Sequence, residues 1–258
     1  MDQTRPVPLA RSNIDAAADV IVRSFTQDPG LHFVLPDPAD RVRLGPLLAR
    51  SVLHYALRCG SPLVTPTLPR GVALWFAPDA LAPTQDDLEE SGLAKVPEQL
   101  GPAAWGRFQR LLDHLDDLHP RYAPEPHWYL AMLGVDPAHQ RQGIGEALMR
   151  PVFAQADREA VACYLEAPTE GNARYYARRG FQVVAETDVP ESEVHVWLMR
   201  RDPLGVSHER ESMAGEPRDE DTASDELQAD RETSVPDDQP GGAPIDEKAD
   251  MSRERMRV

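Results

Sequence analysis

The chain has 258 residues, with 43 Asp and Glu against 27 Lys and Arg, a formal charge of −16 and 41% hydrophobic residues. That length is enough for one or two domains with a sizeable core, and the acidic balance excludes a protein that binds nucleic acid through bulk positive charge. No apolar run reaches the ~18–20 residues that span a bilayer, and residues 1–10 lack the apolar core of an export signal. Two cysteines, Cys59 and Cys163, are too few for a disulfide scaffold and have no metal-ligand spacing. The expectation is a soluble cytoplasmic protein without a metal site; nothing in the sequence specifies an oligomer.

In chain order, residues 6–10 read as extended. Ser12 and Asp15 resemble a capping box, followed by Ile14, Ala17, Ala18, Ile21, Val22 and Phe25 on one helical face. A second helix is predicted over 38–58, strands over 63–65 and 71–76, and a long amphipathic helix from Leu100 to Leu118. Its polar face carries Asp113, His114, Asp116, Asp117 and His119; the two histidines are not spaced i,i+4, so no zinc site is read there. After a Pro-rich break at 122–126 comes a nearly all-apolar run, 128–135, the clearest strand in the chain. Helix, strand and short helix follow over 143–158, 161–166 and 172–179, the last closed by Gly180, then strands over 181–186 and 194–200. The alternation predicts a mixed α/β fold with helices on both faces of a sheet. Residues 202–258 hold 17 acidic and 7 basic residues and no Phe, Trp or Tyr. Such a stretch buries too little apolar surface to offset its ordering entropy and reads as a disordered acidic tail after a 1–201 domain.

The chemistry concentrates in 128–181. The strand ends at Val135, turns through Asp136-Pro137, and meets Gln140-Arg141-Gln142-Gly143-Ile144-Gly145 immediately before a helix. The first turn of a helix has unpaired N–H groups and the positive end of its dipole. Glycines at 143 and 145 leave the backbone open to an anion, and Arg141 adds charge. A Walker loop is excluded because neither lysine, Lys95 or Lys248, is nearby. A dinucleotide fingerprint lacks its third glycine, Leu148 standing there, although Glu166 is placed where a ribose-binding acid belongs. The remaining reading is a coenzyme A pyrophosphate loop.

Gln140-x-x-Gly143-x-Gly145 resembles the signature of the GNAT superfamily of N-acetyltransferases. Leu-Gly-Val-Asp-Pro at 133–137, Leu-Glu-Ala at 165–167 and Asn172…Tyr176-x-x-x-Gly180-Phe181 follow that family's order and spacing. Within it, Trp128-Tyr129-Leu130-Ala131 and the in-helix Pro151 look most like puromycin N-acetyltransferase and its relatives. The resemblance implies a mostly antiparallel sheet whose middle strands, 128–135 and 161–166, splay apart, with acetyl-CoA as co-substrate. It assigns the pantetheine arm to the backbone of Leu133, Gly134 and Val135, and the diphosphate to Gln140, Arg141, Gln142, Gly143, Ile144 and Gly145. The resemblance also sets Asn172 against the coenzyme, with a helix cap as the alternative role.

Acyl transfer to an amine needs a neutral nucleophile, a polarised carbonyl and a proton for the departing thiolate. The resemblance makes Tyr176 the acid, with Tyr175 pointing elsewhere as its control. Glu166 is the first choice of base, acting directly or through water, with Glu193 and His195 as runners-up. Phe25, Trp75, Trp128 and Tyr129 are candidate walls of an acceptor pocket. The implied activity is acetyl transfer to a primary amine of a small molecule within a ternary complex. A non-catalytic acyl-CoA-binding module and a protein or peptide N-acetyltransferase are the alternatives. Neither a nucleic-acid nor a membrane partner is expected.

Overall fold

The computed structural model describes residues 5–80 and 83–205; the acidic tail, from residue 206 onward, lies outside the described residues. Seven strands share one sheet: β1 (Val7–Pro8), β2 (Leu63–Val64), β3 (Gly71–Phe76), β4 (His127–Val135), β5 (Ala162–Ala167), β6 (Gln182–Asp188) and β7 (His195–Arg201). Their order is β1-β2-β3-β4-β5-β7-β6, antiparallel throughout except for the parallel pair β4–β5.

Helices α1 (Ile14–Ser24), α2 (Pro29–Val34), α3 (Pro38–Cys59), α4 (Gln85–Ser91), α5 (Val96–Tyr122), α6 (Ile144–Glu159) and α7 (Glu170–Ala177) cover both faces. On one face α6 and α7 bury Trp75, Trp128, Leu148, Met149, Leu165 and Met199. On the other, α1 and α3 bury Val20, Leu53, Val72 and Leu74, while Leu111, Leu115 and Leu118 of α5 pack on Tyr164, Val196 and Leu198. The fully buried Trp75 and the 5%-exposed Trp128 therefore belong to the core under α6 and do not wall an acceptor pocket. Arg201 clamps β7 to α6 through a two-pronged pair with Asp157, at 2.9 and 3.0 Å.

Three local expectations change. Helix α1 follows directly on a 3-10 turn at Arg11–Asn13, and its N-cap position, Asn13, has no side-chain cap bond, so the Ser12/Asp15 box does not form. The capping box that does form is at Thr84 and Asp87, opening α4. Short α2 is started by Asp28, whose side chain accepts from the Leu31 N–H, with Pro29 at the first helical position. The long helix α5 is broken at Gly101 (φ +72°), just before Pro102, because a proline disfavours helical geometry in the residue preceding it.

Two features of β4 position the site. It pairs with β5 only through His127, Trp128 and Tyr129, opposite Ala162, Cys163 and Tyr164, after which β4 continues beside β3 and β5 beside β7. The middle strands thus part, as expected. The β3–β4 register also slips between Leu74 and Trp75, opposite Met132 and Leu130, leaving Ala131 as a bulge. A bulge resets the two-residue alternation. Trp128 and Leu130 before it, and Leu133 after it, accordingly share the α6 face, whereas Tyr129 and Met132 share the other.

Candidate active site

The loop between β4 and α6 is built in three steps. Asp136 caps a 3-10 turn at Pro137–His139 by accepting from the Ala138 N–H at 2.9 Å, and Arg23 holds its other oxygen. Gln140 then folds back, its Nε2 donating to the Val135 carbonyl at 3.2 Å. Gln140 is therefore engaged in tying the loop to the strand end. Arg141 (φ +60°) and Gly143 (φ +81°) both take left-handed backbone geometry, which turns successive N–H groups toward one side. A side chain costs little at Gly143 for lack of space, since nothing lies within 4 Å of a Cβ there; the backbone angle is what asks for glycine.

Leu133, Val135, Gln140, Arg141, Gly143, Ile144, Gly145, Asn172 and Tyr176 all line a single cleft on the α6–α7 face. Gly134 and Gln142 are not among its lining residues. Gly134 faces α1 instead, where a Cβ would meet Ser24 Oγ at 2.5 Å. Gln142 is exposed at the loop's outer side. Gly171, Tyr175, Arg178 and Arg179 complete the lining and were not anticipated from the sequence. Three arginines and no carboxylate line the cleft among the described residues.

Tyr175 does not point elsewhere. Its hydroxyl lies against Gly145, where an added Cβ would collide with it, so this glycine makes room for a phenol. The Arg179 guanidinium stacks 3.6 Å above the Tyr175 ring. Its Nη1 donates to the Tyr175 carbonyl at 2.8 Å, while Nε is buried without a hydrogen-bond partner among the described residues. Tyr176 is 8% exposed and packs edge-on against Tyr175 and Phe181; burial pushes its hydroxyl above the usual phenol range. Asn172 does not cap α7: that is Thr169, whose Oγ1 accepts from the Asn172 N–H at 3.1 Å.

On the opposite face a second pocket is lined by Tyr55, Phe76, Asp116, His119, His127 and Tyr129, together with Pro78, Pro120, Pro124 and Pro126. Of the expected aromatic walls only Tyr129 is among them; Phe25 packs near α1. Asp116 and Glu125 line this pocket, and among the described residues no Arg or Lys does. His119 and Asp116, part of the polar face of α5, thus line a pocket.

Glu166 is enclosed beside this pocket. Its side chain is 8% exposed, and its Oε1 lies 3.6 Å from His119 Nδ1. Oε1 and the Tyr164 hydroxyl are both buried with no hydrogen-bond partner among the described residues. Burial pushes the Glu166 carboxyl up to about 7, outweighing the nearby Tyr129 and Tyr164 hydroxyls, which favour the charged form. Of the runners-up, His195 is occupied on β6, with Nδ1 2.7 Å from Asp188 and Nε2 3.2 Å from Glu186. Glu193 lines neither pocket. Cys163 lies in the core, its thiol pushed up to about 12 by burial, and is no nucleophile.

This layout, with parted middle strands and a glycine loop at the mouth of the gap, has known counterparts. Residues 86–181 match the acetyltransferase (GNAT) family. A histone acetyltransferase HPA2-related acetyltransferase from Corynebacterium glutamicum is 24% identical, with 77% of this chain and 96% of that one covered and a TM-score of 0.53. The chain has the GNAT fold. Arylalkylamine N-acetyltransferase 2 from Aedes aegypti shares it at 18% identity, over 77% and 98% of the two chains, with a TM-score of 0.53. So does the C-terminal condensation domain of Ebony, solved with beta-alanyl-dopamine, at 12% identity over 77% and 98%, with a TM-score of 0.57. At these identities the GNAT likeness fixes the architecture and leaves the acceptor open. Among the described residues no helix is long and apolar enough to cross a membrane, and no group of three or more His, Cys, Asp and Glu could hold a metal.

Proposed function

We propose that residues 1–201 form an acetyl-CoA-dependent N-acetyltransferase that acetylates a primary amine of a small molecule by direct attack in a ternary complex. The observation that carries this reading is the opposition of two pockets across the parted strands: an arginine-lined cleft on one face, an acidic aromatic pocket on the other. A polyanionic coenzyme suits the first and an ammonium the second.

The chain's residues fit coenzyme A. Left-handed geometry at Arg141 and Gly143, ahead of the α6 N-terminus, presents N–H groups to a diphosphate. The unpartnered Arg179 Nε adds a donor in need of an anion. Beyond Tyr129, the side of β4 that leaves β5 can hydrogen-bond an extended pantetheine arm as a further strand would. Bound there, acetyl-CoA supplies the acetyl thioester. Tyr176, with its phenol held protonated, donates to the departing sulfur. Glu166 removes a proton from the ammonium of the acceptor. A buried carboxylate oxygen without a donor is costly, and an incoming amine provides that donor.

Acetyl-CoA-dependent thiol release across a panel of amines is the test. It should include aminonucleosides, puromycin among them given the sequence likeness, and peptides with free N-termini. Turnover of at least one small amine is expected, together with an acetyl-CoA-dependent rise in melting temperature. A thermal shift without turnover of any amine would instead mark a non-catalytic acyl-CoA-binding module, and turnover confined to peptides would mark a peptide N-acetyltransferase.

A further inference from the structure

The fork between β4 and β5 holds two buried oxygens that the fold does not pair. Tyr129 and Tyr164 form the last pair of the two strands before they part. Glu166 stands two residues further along β5, on the same face as Tyr164, while Cys163 and Leu165, which alternate with them, point into the core under α6. Tyr164 is fully buried. Its hydroxyl and Glu166 Oε1 have no hydrogen-bond partner among the described residues. A buried hydroxyl left unpaired costs stability. Packing does not call for it, because the ring alone fills the space against Val196, Leu198 and Leu115. The oxygen therefore points to a guest.

Its place says which guest. The rings of His119, His127 and Tyr129, which line the acceptor pocket, pack on the Tyr164 ring at 4.5, 5.7 and 6.2 Å. The two oxygens thus lie one layer behind the pocket wall, within reach of the nitrogen end of an acceptor. Burial keeps the Tyr164 phenol protonated, and the hydroxyl is close enough to Glu166 to favour its charged form. The hydroxyl hydrogen can turn to the ionised carboxylate, which leaves the hydroxyl lone pairs for a donor. We propose that Tyr164 is a further catalytic residue: its oxygen accepts one N–H of the acceptor while Glu166 Oε1 accepts the other, a pairing that selects primary amines over N-methylated ones. This rests on the reading of the protein as an amine acetyltransferase with Glu166 as its base.

The step balances. Of the three protons on the incoming ammonium, Glu166 takes one as an N–H bond breaks and an O–H bond forms. The two N–H bonds that remain are held by two oxygens of one strand. The nitrogen lone pair is then the one direction left open, and it turns across the fork toward the side from which the thioester enters. As the C–N bond forms and the C–S bond breaks, a second proton passes to sulfur by way of Tyr176, and the third stays on the amide. An N-methyl amine keeps a single N–H after deprotonation, so one of the two buried oxygens goes unpaired.

Steady-state kinetics on the full chain, with a primary amine that the wild type turns over and with its N-methyl counterpart, test the assignment. Wild type should favour the primary amine by about tenfold or more in kcat/KM, the effect of one hydrogen bond in a buried site. Tyr164→Phe keeps the ring and should lower kcat/KM for the primary amine about 10- to 100-fold, with the N-methyl amine changed by less than about threefold and coenzyme A affinity by less than about twofold. Its melting temperature should equal or exceed that of wild type, since the variant removes an unpaired buried group. Equal losses on both amines, an unaltered Tyr164→Phe, or a wild type indifferent to N-methylation each overturn the proposal and leave the acetyltransferase reading intact. A Tyr164→Phe chain that melts well below wild type or does not fold overturns it too, because the hydroxyl then has a structural partner. If the wild type turns over no amine, the acetyltransferase reading itself fails and this assignment with it.

Discussion

The two pockets face each other across one sheet and are made of different material. The proposed coenzyme cleft is backbone first: a bulged strand, a loop with two left-handed residues and a helix start, all between His127 and Gly145, with arginines added at the rim. The acceptor pocket is side chains first, gathered from α3, the end of β3, the last turns of α5, the Pro-rich connector and β4. Backbone geometry is encoded locally and tolerates changes of side chain; a side-chain box depends on every wall. Substitutions on the acceptor side should therefore strike turnover, and those on the coenzyme side should strike affinity, except at Tyr176, which the proposed mechanism uses as the acid.

The largest expected break is Glu166→Gln, which should lower kcat about 10²- to 10⁴-fold, the usual span for a general base, with coenzyme A affinity unchanged by calorimetry. The wild-type kcat/KM should rise with pH through about 7, where the Glu166 carboxyl ionises. Its stability should move the opposite way. A carboxyl lifted from 4.5 to about 7 holds its proton more tightly in the folded chain, so folding loses stability as pH rises from 4.5 to 7. Glu166→Gln is free of that cost and should be more stable than wild type at pH 8 by on the order of 3 kcal/mol. The gain should vanish near pH 4.5, as urea titrations at the two pH values would read.

Gly143→Val forces a β-branched side chain into φ +81° and should weaken coenzyme A binding by roughly 10- to 100-fold, following strain of ~1–3 kcal/mol. Tyr176→Phe should lower kcat about tenfold while the acetyl-CoA-dependent thermal shift persists. Smallest is Tyr175→Phe. Its hydroxyl meets the glycine loop, so affinity for coenzyme A should fall a few-fold, with kcat at saturation unchanged. A kcat loss larger at Tyr175 than at Tyr176 would reverse the assignment of the acid.

The same contrast explains what the sequence disclosed. The order of strands and most helices followed from apolar spacing, and the loop from glycines set beside an arginine and a helix start. Ser12-x-x-Asp15 and Thr84-x-x-Asp87 are equivalent on paper; of the pair Thr84–Asp87 caps and Ser12–Asp15 does not, because a 3-10 turn already leads into α1. Asp28-Pro29 was a legible helix start, but six residues carry too little periodicity to announce α2. That His119 and Asp116 line a pocket was not legible, because helical periodicity separates apolar from polar faces, and a polar face turned into a pocket looks the same as one turned to water. Tyr175 was misplaced because neighbours on a short helix point about 100° apart, and a wide cleft can accept both.

Ala131 sets the phase of β4. With the same residues in strict two-residue alternation, Ala131 paired like any other, the strand would carry Leu133 and Val135 to the amine side and bring Met132 and Gly134 beneath α6. Pairing Ala131 is thus a frameshift in space: it would exchange the linings of the two chambers with every residue still present. Deleting Ala131, by contrast, would take out the extra position and keep its neighbours on their own faces.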